Sequence, residues 1–141
     1  MWSNWRGLND KNLNENWTQS PGVYLVRLVN KKGLPIKINR ILAADKGGLL
    51  YIGMAAEGRD GGLCNRLWGF WTAVQGTDEN YHAAGRKFRR LLAKHFPNCH
   101  LQYRHRKIKS GRSAKDFEVK CLRKYQYQRG ELPPLNRAGV E

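Results

Sequence analysis

The run Gly22-Val23-Tyr24-Leu25-Val26-Arg27-Leu28-Val29 is apolar at both odd and even positions, with Arg27 its one charged residue. Successive strand residues point to opposite faces of a sheet, so such a run is stable only in the middle of a sheet that is covered on both sides. The rest of the chain must therefore supply two covering layers. Lys46-Gly47-Gly48 turns the chain into a second strand-like run, Leu49-Leu50-Tyr51-Ile52-Gly53-Met54, and Cys99 to Ile108 alternates loosely through Leu101 and Tyr103 as a third. Helical spacing links Leu63, Leu67, Phe70, Trp71 and Val74, with Gly76 as C-cap. A second helical stripe is Ala84, Phe88, Leu91, Leu92 and Phe96, with Thr77, Asp78 and Asn80 offering cap oxygens and Pro97 stopping it. A third starts at Ser113 as cap and turns Phe117, Cys121, Leu122 and Tyr125 inward. The order strand, strand, helix, helix, strand, helix predicts an α/β fold: a small, mostly antiparallel sheet of about three strands flanked by helices.

A chain of 141 residues suits one domain. Residues 1–21 read as an Asn-rich N-terminal arm, irregular or briefly helical, pinned to the body by Trp2, Trp5 and Trp17, and residues 22–141 as a single domain. Within it, residues 31–47 read as an insertion, with alternating Ile36 and Ile38 suggesting an extra ribbon. The sequence shows neither an apolar run near the ~18 residues of a membrane span nor a basic-then-apolar leader, so the expectation is a cytoplasmic protein with no membrane partner. Cys64, Cys99 and Cys121 form no Cys-x-x-Cys pair, which suits a reducing compartment, and with His95, His100 and His105 they match no zinc-finger spacing.

Charge is the strongest compositional signal. Lys and Arg number 26 against 11 Asp and Glu, a net of +15. Residues 86–129 alone hold fifteen basic groups against Asp116 and Glu118. Aliphatic and aromatic residues recur through that stretch at structured spacings, so the cations decorate a folded face, as phosphate-binding surfaces do. Arg86, Lys87, Arg89, Arg90 and Lys94 on the second helix, with Arg104, Arg106 and Lys107 on the third strand, are the candidate contacts to a polyanionic backbone.

Gly22-Val23-Tyr24 and Tyr51-Ile52-Gly53, each at a strand, are followed by Arg66 in the next helix, His82 at the start of the one after, Glu118 in the last helix and Asn136 after Pro133-Pro134-Leu135. This set resembles the signature of the GIY-YIG nuclease superfamily, with Val in place of the first Ile, and the resemblance spans Gly22 to Asn136. It implies that Tyr24, Tyr51, Arg66, His82, Glu118 and Asn136 form a catalytic site for hydrolysis of DNA phosphodiester bonds, with Glu118 holding one divalent ion, Mg2+ or Mn2+. The chain departs from the family in the 26 residues between the two tyrosines, where a shorter hairpin is usual. Too few residues remain for the extra DNA-binding domain that the family commonly carries.

The residue types suit that chemistry on their own terms. Phosphodiester hydrolysis needs an activated water, compensation for charge on the phosphoryl oxygens and stabilisation of the leaving oxygen. Arg66 presents a bidentate fork to a phosphate, Tyr24 is the candidate base or orienting phenol, Tyr51 a hydrogen-bond partner, His82 a proton shuttle and Asn136 an ordering group. Magnesium takes one or two protein carboxylates and fills its octahedron with water, so a single Glu suffices. Asp116 points to another helix face and reads as a residue favouring the helix dipole. Each also has a plain reading: strand aromatics, a surface arginine, a solvated glutamate beside Lys115 or Lys120, a cap and a turn former.

Three functions follow as expectations. The first is a metal-dependent endodeoxyribonuclease, in a restriction-type subclass if the insertion or arm enters a groove, where one site must cut two strands as a dimer or by sequential nicks. The second is a non-catalytic nucleic-acid-binding protein on the same fold. The third is a nuclease of the PD-(D/E)XK kind, from Glu118-Val119-Lys120, which belongs on a strand but here has helical surroundings.

Overall fold

The computed structural model describes residues 1–13, 18–57, 61–77 and 82–136. Its centre is the apolar run itself, strand β2 (Gly22–Val29), which lies between β3 (Leu49–Ala55) and β4 (His100–Lys107), antiparallel to both. The two-residue strand β1 (Arg6–Gly7) joins the outer edge of β4, giving the order β1-β4-β2-β3. The sheet thus has four strands where about three were expected, the extra one coming from the N-terminal arm, which continues into the short helix α1 (Asp10–Leu13).

Parity divides the strand as its sequence requires. Tyr24, Val26 and Leu28 join Leu63, Leu67 and Phe70 of helix α2 (Gly62–Gln75) in the main core, and Val23 with Ile52 packs on the other face against Phe117, Cys121, Leu122 and Tyr125 of α4 (Gly111–Arg129). A register shift in the β2–β3 ladder at Val26 and Arg27 lets Leu50 and Tyr51, consecutive in sequence, both join the α2 side. Arg27, the charged member of the run, lies on the α4 face. Its guanidinium sits 4.2 Å from the centre of the Trp5 ring and donates twice to Gln102 Oε1, at 2.9 and 2.7 Å. Trp2 packs against Phe117 at 6.0 Å, so the arm continues the cover that α4 begins. Trp17 lies outside the described residues.

Several local expectations change. The second helix is interrupted: α3 (Ala83–Lys87) passes into a π turn, Phe88–Leu92, and a 3-10 turn, Ala93–His95, before Pro97. The Ala93 amide donates to Phe88 O, five residues back, and the wider turn leaves Leu91 56% exposed while Leu92 and Phe96 pack inward. The N-cap of α3 is His82, and Asp78 and Asn80 lie outside the described residues. The cap of α4 is Ser110, whose hydroxyl accepts from the Ser113 amide; Asp116 is therefore beyond the first turn and does not serve the helix dipole.

The segment 31–47 forms no ribbon strand. It touches the sheet through a bridge of Val29 with Pro35 and closes on itself through Ile38 and Asp45. Buried Asp45 accepts from the Tyr125 hydroxyl at 2.8 Å and from the Gly47 and Leu49 amides at 2.8 and 3.2 Å. Arg40 binds Glu131 at 2.7 Å, and the Leu42 amide bonds Arg129 O at 2.9 Å, so the segment is clamped to the end of α4. No helix among the described residues is long and apolar enough to cross a membrane.

Removing Asp45 would leave a buried phenol and two amides without acceptors. Asp45→Ala is expected to cost about 2–4 kcal/mol by urea unfolding and Tyr125→Phe about 1 kcal/mol. Equal costs for the two would show that the carboxylate is not the hub.

Candidate functional site

Register brings the two tyrosine triplets together. Tyr24 of β2 stands opposite Gly53 of β3, and a Cβ at Gly53 would lie 2.6 Å from Tyr24 Cζ and 2.6 Å from Tyr51 Cε2. Glycine is therefore the seat on which both phenols rest. The rings of Tyr24 and Tyr51 are 5.9 Å apart and tilted. Gly22 lies against Leu63 and the Arg106 carbonyl, where a side chain has no space.

His82, at the mouth of α3, closes the cluster. Its Nε2 is 2.8 Å from the Tyr24 hydroxyl, and its Nδ1 accepts the Gly85 amide at 3.4 Å as the cap of the helix. Burial, with help from the Arg66 charge, pushes the His82 pKa down to about 3, so the ring is neutral. A neutral imidazole carries one proton; with Nδ1 occupied as an acceptor, this network assigns it to Nε2, which donates to Tyr24 Oη. The Tyr24 proton is then free for another acceptor.

Arg66, on the first turns of α2, is in hydrogen-bonding contact with Tyr24 and acts electrostatically on Tyr51 and His82. Glu118 approaches from α4 on the other side of the sheet. It is 8% exposed, its Oε1 receives Lys115 Nζ at 2.9 Å, and its charge is felt by both phenols. Tyr24 is fully buried, and its pKa is raised well above the ordinary value, first by burial and then by Tyr51 and Glu118, against the pull of Arg66. Tyr51 is raised by burial and Glu118, with Arg66 and the hydrogen bond to Tyr24 opposing.

Tyr24, Tyr51 and His82 thus meet in one place with Arg66 beside Tyr24, while Glu118 acts on the two phenols through its charge. Asn136 does not join them: both ends of its amide are engaged with the Ile52 backbone, Oδ1 accepting from N at 3.0 Å and Nδ2 donating to O at 2.9 Å. It pins the free edge of β3 beside Tyr51. Among the described residues no group of three or more His, Cys, Asp or Glu side chains gathers as a metal cage.

Two participants were not singled out from sequence. Phe70 walls the site, 5.8 Å from the Tyr51 ring and 5.0 Å from His82. Gly85 supplies the amide that sets the His82 tautomer, and a Cβ there would lie 2.5 Å from Phe70 O. A glycine inside a helical stripe costs ~1 kcal/mol and was the available sign of a close approach.

The eight cations divide. Lys87, Arg90, Lys94 and Lys107 are exposed, and Arg86 and Arg89 are half-buried. Arg104 lies 5.1 Å from Trp5 and donates to Ser3 O at 3.0 Å, and Arg106 lies 4.7 Å from the Phe117 ring, so both belong to the packing beneath the arm and α4. Asp116-Phe117-Glu118-Val119-Lys120 is helical throughout. Comparison with protein-family models, curated proteins and solved structures finds no match to this chain.

Gly53→Ala is expected to cost about 1–3 kcal/mol in urea unfolding and to disturb the near-ultraviolet tyrosine signal, because the methyl displaces both rings. An unchanged spectrum would contradict the seat. His82 also sets a pH dependence. Its folded pKa lies below its unfolded value near 6.5, so the unfolded state binds the extra proton and stability falls as pH drops from about 6.5 towards about 3. The slope approaches ~1.4 kcal/mol per pH unit for this one group. His105, pushed down to about 4 by burial and by Lys107 and Arg6, adds a nearly equal share above about pH 4.5. In unfolding measured between pH 7 and 4.5, His82→Gln should lose about half of the slope that the two histidines set, and an unaltered slope would place the titration elsewhere.

Proposed function

We propose that the chain is a GIY-YIG-type endonuclease that hydrolyses DNA phosphodiester bonds with one divalent ion. The observation that carries the reading is the packing of Tyr24, Tyr51 and His82 together with Arg66 against Tyr24, within reach of the Glu118 charge.

Arg66 is placed to take non-bridging phosphate oxygens with its fork and to offset their growing charge. Water attacks phosphorus, the P–O bond to the leaving oxygen breaks, and the proton of the water passes to Tyr24 Oη. The His82 Nε2–H donor stabilises the phenolate that this requires, and Tyr51 orients the water or phosphate. A buried phenol is a strong but scarce base, the phenolate being the minority form at neutral pH. Glu118 fits a hard cation that keeps most of its waters, being one nearly buried carboxylate with only an exposed lysine to displace. Bound there, Mg2+ or Mn2+ would supply Lewis-acid stabilisation of the leaving oxygen. The net charge of +15 supports a polyanionic substrate. The complete burial of Tyr24 favours, as the second reading, a nucleic-acid-binding protein in which the phenols only pack.

Supercoiled plasmid incubated in Mg2+ separates the two. Wild type is expected to nick it, and Glu118→Ala to lose at least about 100-fold in rate while retaining its gel shift. Plasmid retarded but intact with wild type, or cut equally by Glu118→Ala, contradicts the nuclease proposal.

A further inference from the structure

Beside His82 the surface opens into a groove of about 340 Å³. This is at the small end of the ~300–1,000 Å³ range of ligand clefts, the scale of one nucleotide and not of a base pair. Ala83 and Ala84, the residues after His82, form one end and tie it to the site, and Leu135 lies in its floor. Arg86, Lys87 and Arg90 border it, and among the described residues no acidic one does. Lys87 Nζ reaches Pro134 O at 3.2 Å and holds the two walls together.

The remaining wall is Leu91, the side chain that the π turn rotates out of the helical stripe to 56% exposure. Leu91 is the large exposed apolar side chain of the lining, beside Ala83, Ala84 and Leu135. Cations on the rim and aliphatic carbons inside complement a phosphate joined to an unstacked base. A second copy of this chain, net +15, would meet the same charge on itself.

We infer that this groove holds a single unpaired nucleotide of the strand being cut, next to the phosphate at Arg66, and so directs the site to frayed, bulged or single-stranded DNA. The inference rests on the nuclease reading for the identity of the strand.

The test is nuclear magnetic resonance of the 15N-labelled full chain titrated with tetrathymidylate and, separately, with a fully paired hairpin duplex, alongside plasmid nicking in Mg2+. Tetrathymidylate is expected to move the amides of Ala84, Lys87, Leu91 and Leu135. Leu91→Asp should weaken its binding about tenfold, the equivalent of ~1.4 kcal/mol, with the melting temperature unchanged, and Leu91→Ile should bind as wild type. Shifts confined to other residues, equal groove shifts with the hairpin, or full affinity in Leu91→Asp overturn the inference. Groove shifts with intact plasmid would refute the nuclease reading and leave a nucleotide site standing. Nicking with a silent groove would do the reverse.

Discussion

The hydrogen bond between Tyr24 and His82 joins the two halves of this molecule. Tyr24 belongs to the central strand and His82 to the cap of a short helix 58 residues later. Their 2.8 Å contact is made where neither side chain can turn to water for a substitute, so breaking it would leave two buried polar groups without partners. The bond depends in turn on glycines. Gly53 makes room for the phenol ring and Gly85 for the approach of α3 to the Phe70 carbonyl. A polar pair at this depth adds little net stability but allows only one arrangement of strand, helix and cap.

The periphery serves the same centre. Asn136 continues the hydrogen bonding of β3 past its free edge, and the Asp45–Tyr125 contact and the Arg40–Glu131 pair hold the 31–47 segment on the far end of α4, whose earlier turns carry Glu118. The arm covers with Trp2 and Trp5 the part of the sheet that α4 does not reach, and so accounts for an arginine in the middle of an apolar strand.

The architecture was legible where burial is periodic. Two-sided apolarity placed β2 in the middle, and the stripes through Leu63 and Phe117 marked two of the flanking helices, which the structure puts on opposite faces. Features set by single backbone bonds were not legible. The π turn at Phe88–Leu92 differs from an α-helix by one residue, which no hydrophobic spacing encodes, and it reversed the expected burial of Leu91. β1 is two residues long, below any periodicity. Of the six expected site residues, Tyr24, Tyr51, Arg66 and His82 converge, and Glu118 acts on the two phenols only through its charge. Asn136 faces the backbone, a choice that its sequence neighbours cannot reveal. Sequence alone gives Arg104 and Arg106 as surface charge, because cation–aromatic packing depends on tertiary neighbours.

The central claim is that His82 stands neutral between a helix cap and a buried phenol, with its proton aimed at Tyr24. A long-range 15N correlation spectrum of the histidine side chains reports tautomer and charge directly. From pH 7 to 5 the His82 ring should keep an unprotonated Nδ1 and a protonated Nε2, and Tyr24→Phe should move the Nε2 resonance. A His82 signal that titrates near 6.5, or that shows the proton on Nδ1, would contradict the network on which the site is built.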